Sequence, residues 1–283
     1  MGRTATDGTV DLEHAREVAV SAVETAGLLL RERATDDLGV RAKDEAGDVV
    51  TDLDLAAERL IVGQLRESFP GHPIIAEESG LLDAADAAWT WLVDPLDGTN
   101  NVVIGLNTYV VGVALCRDRV PVLGVVHDPV AGYTWSAVRD IGTRGPAGTV
   151  LCPARRIRGE PVLAWTQGHG VGRTDETARA LRGTLESGAR RVLQLWAPLL
   201  SWVMLARGDI DGFVGYLPEA VDLPAGSLIA QEAGIAVRTL RGTAFDDRFD
   251  LPAEHRSFVA GRPEVMPWLL DLVSEALSLT VTV

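Results

Sequence analysis

The stretch Trp91-Leu92-Val93-Asp94-Pro95-Leu96-Asp97-Gly98-Thr99-Asn100-Asn101 decides the reading of this chain. An apolar strand delivers two carboxylates three residues apart and then turns, with Pro95 stiffening the turn. Asp94, Asp97 and the Leu96 carbonyl are hard oxygen donors of the kind Mg²⁺ prefers. Gly98 lets backbone approach a ligand without an intervening Cβ. A short helix starting at Thr99 or Asn100 would aim the Gly98 and Thr99 amides at a phosphate oxygen. Asp-Pro-Leu-Asp-Gly alone is an ordinary solvated turn. Placed after a buried strand, with a second acidic cluster one strand earlier, it points to a site.

That second cluster is Ile74-Ile75-Ala76-Glu77-Glu78-Ser79-Gly80, again acidic at a strand end, where open α/β sheets place ligands. A third, Lys43-Asp44-Glu45-Ala46-Gly47-Asp48-Val49-Val50-Thr51-Asp52-Leu53-Asp54, crowds carboxylates ahead of a helix, where Asp52 or Asp54 would serve equally well as a cap. The fourth, Glu219-Ala220-Val221-Asp222-Leu223-Pro224, puts Asp222 at a cap position with Pro224 in the first helical turn.

Composition is consistent with a metal site. The chain has 283 residues, 47% of them hydrophobic, and a formal charge of -14. It can bury a sizeable core, and it would repel a nucleic-acid polyanion. An acidic protein that handles phosphate needs cations to neutralise its substrate locally. Cys116 and Cys152 are too few for a disulfide framework and lack zinc-site spacing, which fits a reducing cytoplasm. No apolar run reaches membrane-spanning length, and the first residues lack a secretory pattern.

Apolar periodicity predicts a long helix over 11–33 and a second over 54–68, the latter packing through Leu55, Leu60, Ile61 and Leu65. Strands are expected at 73–76 and 89–93, then an antiparallel meander over 109–115, 122–126 and 133–138. Residues 139–160 are rich in Gly, Arg and Pro and mark a boundary, dividing an N-terminal α+β half (1–145) from a C-terminal α/β half (146–283) within one compact unit. Helices near 174–186, 197–206, 223–233 and 263–277 then alternate with short strands near Val162, Val192, Ile210 and 257–260.

The four acidic stretches, in this order and spacing, resemble the inositol monophosphatase family of lithium-sensitive, metal-dependent phosphatases. Asp94-Pro-Leu-Asp97-Gly-Thr99 followed by Asn101 carries most of the likeness, Glu77-Glu78-Ser79 and Asp48-x-Val50-Thr51-x-x-Asp54 the rest. The resemblance implies a five-layer α-β-α-β-α sandwich, shared with fructose-1,6-bisphosphatase-type enzymes, paired as a homodimer. It also implies one Mg²⁺ on Glu77, Asp94 and the Leu96 carbonyl, a second on Asp94, Asp97 and Asp222, and a third, weaker ion near Glu77. Asp54 and Thr99, with Glu77 nearby, would position and deprotonate an attacking water. Gly98 and Thr99 would bind phosphate. The expected substrate is a sugar, cyclitol, nucleotide or amino-alcohol phosphate. A 3′(2′),5′-bisphosphate nucleotidase or nucleoside monophosphate phosphatase is the neighbouring alternative.

Departures from the family fall on the substrate wall. Leu193-Gln194-Leu195-Trp196-Ala197-Pro198 replaces small residues, Gly215 stands where inositol-specific members carry a Glu, and Val221 replaces a Trp. Asn100, Trp196, Gly215 and Lys43 are the candidate substrate contacts. Trp196 would stack on a substrate ring or, as is commoner for a Trp at such a corner, pack in the core. His169 reads as a surface-loop histidine. Two rival functions remain: a phospho-aspartate mechanism through Asp52, which leaves the 94–99 motif unexplained, and a metal-dependent binding protein without turnover. The second has no use for a water-activating Asp54–Thr99 pair.

Overall fold

The protein is described from a computed structural model covering residues 9–35, 37–43, 47–82, 88–151 and 159–280. Helix α1 (Leu12–Arg33) begins at Asp11, whose carboxylate accepts from the amides of Glu13 and His14. It buries Ala15, Ala19, Ala22 and Ala26, a stripe small enough for close approach to a sheet. After the short pair β1 (Arg41–Ala42) and β2 (Val49–Val50), α2 (Asp52–Ser68) starts with a capping box: Thr51 is the N-cap and Asp54 answers its amide. Neither Asp52 nor Asp54 is therefore the cap residue itself.

A seven-stranded sheet follows from β3 (Ile74–Ala76), β4 (Gly80–Leu82), β5 (Trp89–Asp97), β6 (Val110–Arg117), β7 (Val120–Asp128), β8 (Tyr133–Val138) and β9 (Gly142–Arg144), in the order β4-β3-β5-β6-β7-β8-β9. From β5 to β9 every neighbour is antiparallel, which is the expected meander. Strand β5 does not stop at Val93. It continues to Asp97 through a register shift between Asp94 and Asp97, and Pro95, which has no amide to give the ladder, sits inside that irregularity. Helix α3 (Thr99–Val103) begins next to it.

The second sheet comprises β10 (Val162–Gln167), β11 (Arg191–Leu193), β12 (Gly212–Tyr216), β13 (Ala236–Arg238) and β14 (Phe258–Gly261), ordered β11-β10-β12-β14-β13. Its helices are α4 (Glu176–Gly188), α5 (Pro198–Arg207), α6 (Pro224–Glu232) and α7 (Met266–Thr280). Helices α1 and α2 share a core with the outer face of the first sheet. Helices α5 and α6 fill the space between the sheets. Helices α4 and α7 cover the far face of the second sheet. The layers thus read α-β-α-β-α. Helix α6 is buried from Pro224 to Ala230 because it has a sheet on either side. Strands β4, β9 and β13, three residues each, were not expected from periodicity. Among the described residues no helix is long and apolar enough to cross a membrane. Asp44, Glu45 and Cys152 lie outside the described residues.

Candidate metal and phosphate centre

The bulge in β5 puts Asp94, Leu96 and Asp97, all buried, at one end of the strand, and Gly98 turns the chain away. Gly98 has φ 106°, and a Cβ there would lie 2.8 Å from the Thr108 carbonyl oxygen, so glycine answers both to torsion and to space. Thr99 then opens α3, as expected. The parallel neighbour β3 ends at Ala76 and presents Glu77, whose amide donates to the Val93 carbonyl at 3.0 Å. Asp222 arrives from the second half, one residue before Leu223, the N-cap of α6, whose N-terminus has no side-chain cap. It is not a helix cap, contrary to the sequence expectation.

Glu77, Asp94, Asp97 and Asp222 line one cavity of about 800 Å³, together with Leu96, Gly98, Thr99 and Asn100. Their ionisation reports how tightly they converge. Asp94 is pushed well above the ordinary carboxyl range, by burial first and then by the charges of Glu77, Asp97 and Asp222. Asp97 is raised by burial and by Asp222, and Asp222 by burial and by Glu77. The Asp94 and Glu77 carboxyl groups are close enough for each to shift the ionisation of the other. Such a set either keeps protons or exchanges them for cations. Hard, buried oxygen donors fit a divalent ion of the magnesium type.

Among the described residues, no three His, Cys, Asp or Glu side chains stand in metal-gripping geometry as placed. Lys43 Nζ lies 2.7 Å from Glu77 Oε1 and 2.7 Å from Glu78 Oε1. Burial raises Glu78 to about 7 despite this partner. Lys43, a candidate substrate contact from sequence, is thus a partner of the acidic cluster.

Asp54 reaches the centre from α2. Its Oδ2 accepts from the Thr51 amide at 2.8 Å and the Thr51 hydroxyl at 2.5 Å, while Oδ1 accepts from the Thr99 hydroxyl at 2.6 Å. The same Thr99 Oγ1 is 2.9 Å from the Leu96 carbonyl oxygen. Burial raises the Asp54 carboxyl, and its hydroxyl partners pull the other way. One turn along α2, Glu58 is also buried; it accepts from the amides of Glu78 (2.9 Å) and Ser79 (3.4 Å) and from the Ser79 hydroxyl. Sequence reading missed Glu58. The signal was its i+4 spacing from Asp54.

The remaining candidates divide. Asn100 lines the cavity, its amide 3.4 Å from Asp48 Oδ1. Trp196 also lines it and is 55% exposed, so the commoner core-packing expectation is overturned. His169, read as a surface histidine, borders the cavity with Nε2 3.8 Å from Asp48 Oδ2. Gly215 is a correction: it lies in β12, where a Cβ would be 2.2 Å from the Phe258 ring, so its smallness serves packing, and it is not among the described residues lining the cavity.

The model of the inositol monophosphatase family matches residues 11–278. The chain belongs to the inositol monophosphatase family. A relative named Nus factor SuhB, from Pasteurella multocida, is 30% identical, the match covering 92% of this chain and 96% of the relative. An inositol-1-monophosphatase of Mycobacterium leprae is 33% identical over 81% of this chain and 84% of its own length. Among solved structures, the extragenic suppressor protein suhB of Bartonella henselae superposes with a TM-score of 0.82 at 25% identity, covering 92% of this chain and 98% of that one. The inositol monophosphatase fold is thereby established for the layers described above, and relatives under two names share it.

Proposed function

We propose that this chain is a Mg²⁺-dependent phosphomonoesterase acting on the phosphate of a small metabolite. The observation that carries the reading is the Thr99–Asp54 hydrogen bond beside four converging carboxylates. Glu77, Asp94, Asp97 and Asp222, with the Leu96 carbonyl, would hold two or three magnesium ions. Bound magnesium supplies charge neutralisation of the phosphate and acidifies water.

The protein's own residues supply the rest. Asp54, whose carboxyl is raised by burial, accepts from the Thr99 hydroxyl and holds it in a fixed direction. A water accepting or donating a hydrogen bond at Thr99 Oγ1 is then aligned, and its proton has a route through that hydroxyl to Asp54 Oδ1. Gly98 brings backbone to the phosphate without a side chain, and Asp97 keeps its place because the Leu199 amide donates to its Oδ2 at 2.7 Å. The homodimer implied by the resemblance and the cytoplasmic setting that the cysteine usage fits belong to the same proposal.

Phosphate release from inositol, sugar, nucleotide and amino-alcohol phosphates, measured with and without Mg²⁺, tests the proposal. Metal-dependent release from at least one ester, abolished in Asp94→Asn, is expected. Silence across the panel would favour a binding protein without turnover. A phospho-aspartate trapped during turnover would instead favour the Asp52 mechanism.

A further inference from the structure

Between β11 and α5 the chain does something costly. Trp196 has φ 53°, a left-handed conformation that a bulky side chain rarely adopts, and it leaves more than half of its surface to solvent. Neither the strain nor the exposure serves the core, since six other tryptophans are present and Trp91, Trp135, Trp165 and Trp202 are fully buried. The position is nonetheless held firmly. On one side, the buried Asn101 of α3 donates to the Leu195 carbonyl at 2.7 Å and to the Thr108 carbonyl at 2.6 Å. On the other, Asp97 accepts from the Leu199 amide in the first turn of α5, a helix whose own N-cap residue, Ala197, offers no side-chain acceptor. Both clamps come from the loop that carries the candidate metal and phosphate ligands. The backbone that carries the indole is therefore fixed relative to the place where phosphorus would sit.

Its surroundings describe a ligand. Trp196 lines the same cavity as Asp94 and Asp97, together with Ile104, another large apolar side chain left 64% exposed. At about 800 Å³ the cavity is near the upper end of the usual range for small-molecule sites and has room for more than a phosphate and one compact polyol. An exposed indole on a clamped backbone offers a planar π face, which gains most against another flat ring.

We infer that Trp196 is a stacking platform for the alcohol portion of the substrate, and that the preferred esters carry a planar aromatic or heteroaromatic ring. This rests on the phosphomonoesterase reading and narrows it. Ester and platform meet at one site, the phosphate end against 94–99 and the ring end against Trp196. A cyclitol can lie on an indole through its C–H face, but it has no π surface to match, so ring planarity discriminates the two.

The experiment compares 2-phenylethyl phosphate with 2-cyclohexylethyl phosphate, matched in length and apolar character, and with glycerol phosphate, which has no ring. In the wild type, kcat/KM should favour the planar ester over the cyclohexyl ester by about tenfold. Trp196→Ala should remove that preference, lowering the planar ester more than glycerol phosphate, and Trp196→Phe should restore part of it. A second readout needs no turnover: titration with 2-phenylethanol should quench indole emission in the wild type and not in Trp196→Phe. Equal rates on planar and puckered esters, or a Trp196→Ala variant that retains the preference, would overturn the platform while leaving the phosphatase reading intact. Quenching without hydrolysis of any ester would sink the phosphatase reading and keep the platform. If Trp196→Ala lowers all three esters alike, the indole is scaffolding and the inference is wrong.

Discussion

The Thr99 hydroxyl lies 2.6 Å from Asp54 Oδ1, joining two residues 45 positions apart across the start of α3 and the start of α2. Asp54 also completes the capping box of α2, so its orientation is set by helix formation before any ligand is present. Asp54→Asn keeps an oxygen for the cap and removes the proton acceptor. We expect kcat to fall by roughly 10²–10⁴ with KM little changed, and Thr99→Ala to do the same. Steady-state kinetics paired with thermal melts check this. A variant that melts like the wild type and retains its kcat would remove the pair from the mechanism.

Chelation should expose the cost of the acidic cluster. Asp94, Asp97 and Asp222 are raised by burial and mutual repulsion, so the folded state binds protons that the unfolded chain releases. Their contribution is favourable at low pH and is lost as pH rises from the ordinary carboxyl range, about 4, through the raised folded values. In EDTA the melting temperature should therefore fall as pH increases, less steeply in Asp222→Asn. Adding Mg²⁺ at a hundred times its dissociation constant should restore about 2.7 kcal/mol. Identical slopes for wild type and Asp222→Asn would count against the convergence of these groups.

Arg262 and Asp211, both nearly inaccessible, form an ion pair where β14 ends and β12 begins, and Asp211 Oδ2 also accepts from the Val162 amide at 2.9 Å. Arg262→Met takes this cation away from the buried Asp211 carboxylate, and denaturant unfolding should show a loss of roughly 3–5 kcal/mol. Adding Asp211→Leu should recover part of it, the Val162 amide remaining unpaired. A change below about 1 kcal/mol in the single variant would show that water reaches the pair.

The legible parts of the chain were those with local physics. Pro95 and Gly98 constrain their own backbone, and residues 91–101 read correctly as strand, turn and helix start, though β5 runs on to Asp97. The face of α2 was harder. Hydropathy favoured Leu60, which is 38% exposed, and passed over Asp54 and Glu58, which are buried because partners outside the helix satisfy them. Trp196 was misplaced for a related reason. Its position is set by hydrogen bonds between residues 94 and 102 apart, and no window of sequence contains them. Gly215 erred in the other direction, since a family correspondence suggested a ligand contact where Phe258 needs the space.

Glu58 provides the last prediction, because it separates holding a metal ligand from being one. Its carboxylate gathers the Glu78 and Ser79 amides and the Ser79 hydroxyl, and so fixes the turn that aims Glu77. It is not among the described residues lining the cavity. Outer partners of metal ligands typically influence affinity by ten- to a hundredfold. Glu58→Ala should raise the Mg²⁺ concentration for half-maximal activity by about that factor, with kcat at saturating metal largely kept. Glu58→Gln, which retains one acceptor oxygen, should fall between. The Mg²⁺-induced rise in melting temperature should need correspondingly more metal, a readout that holds whatever the substrate proves to be. If Glu58→Ala lowers the melting temperature but leaves both metal midpoints where they were, the residue supports α2 and the 77–79 turn does not depend on it.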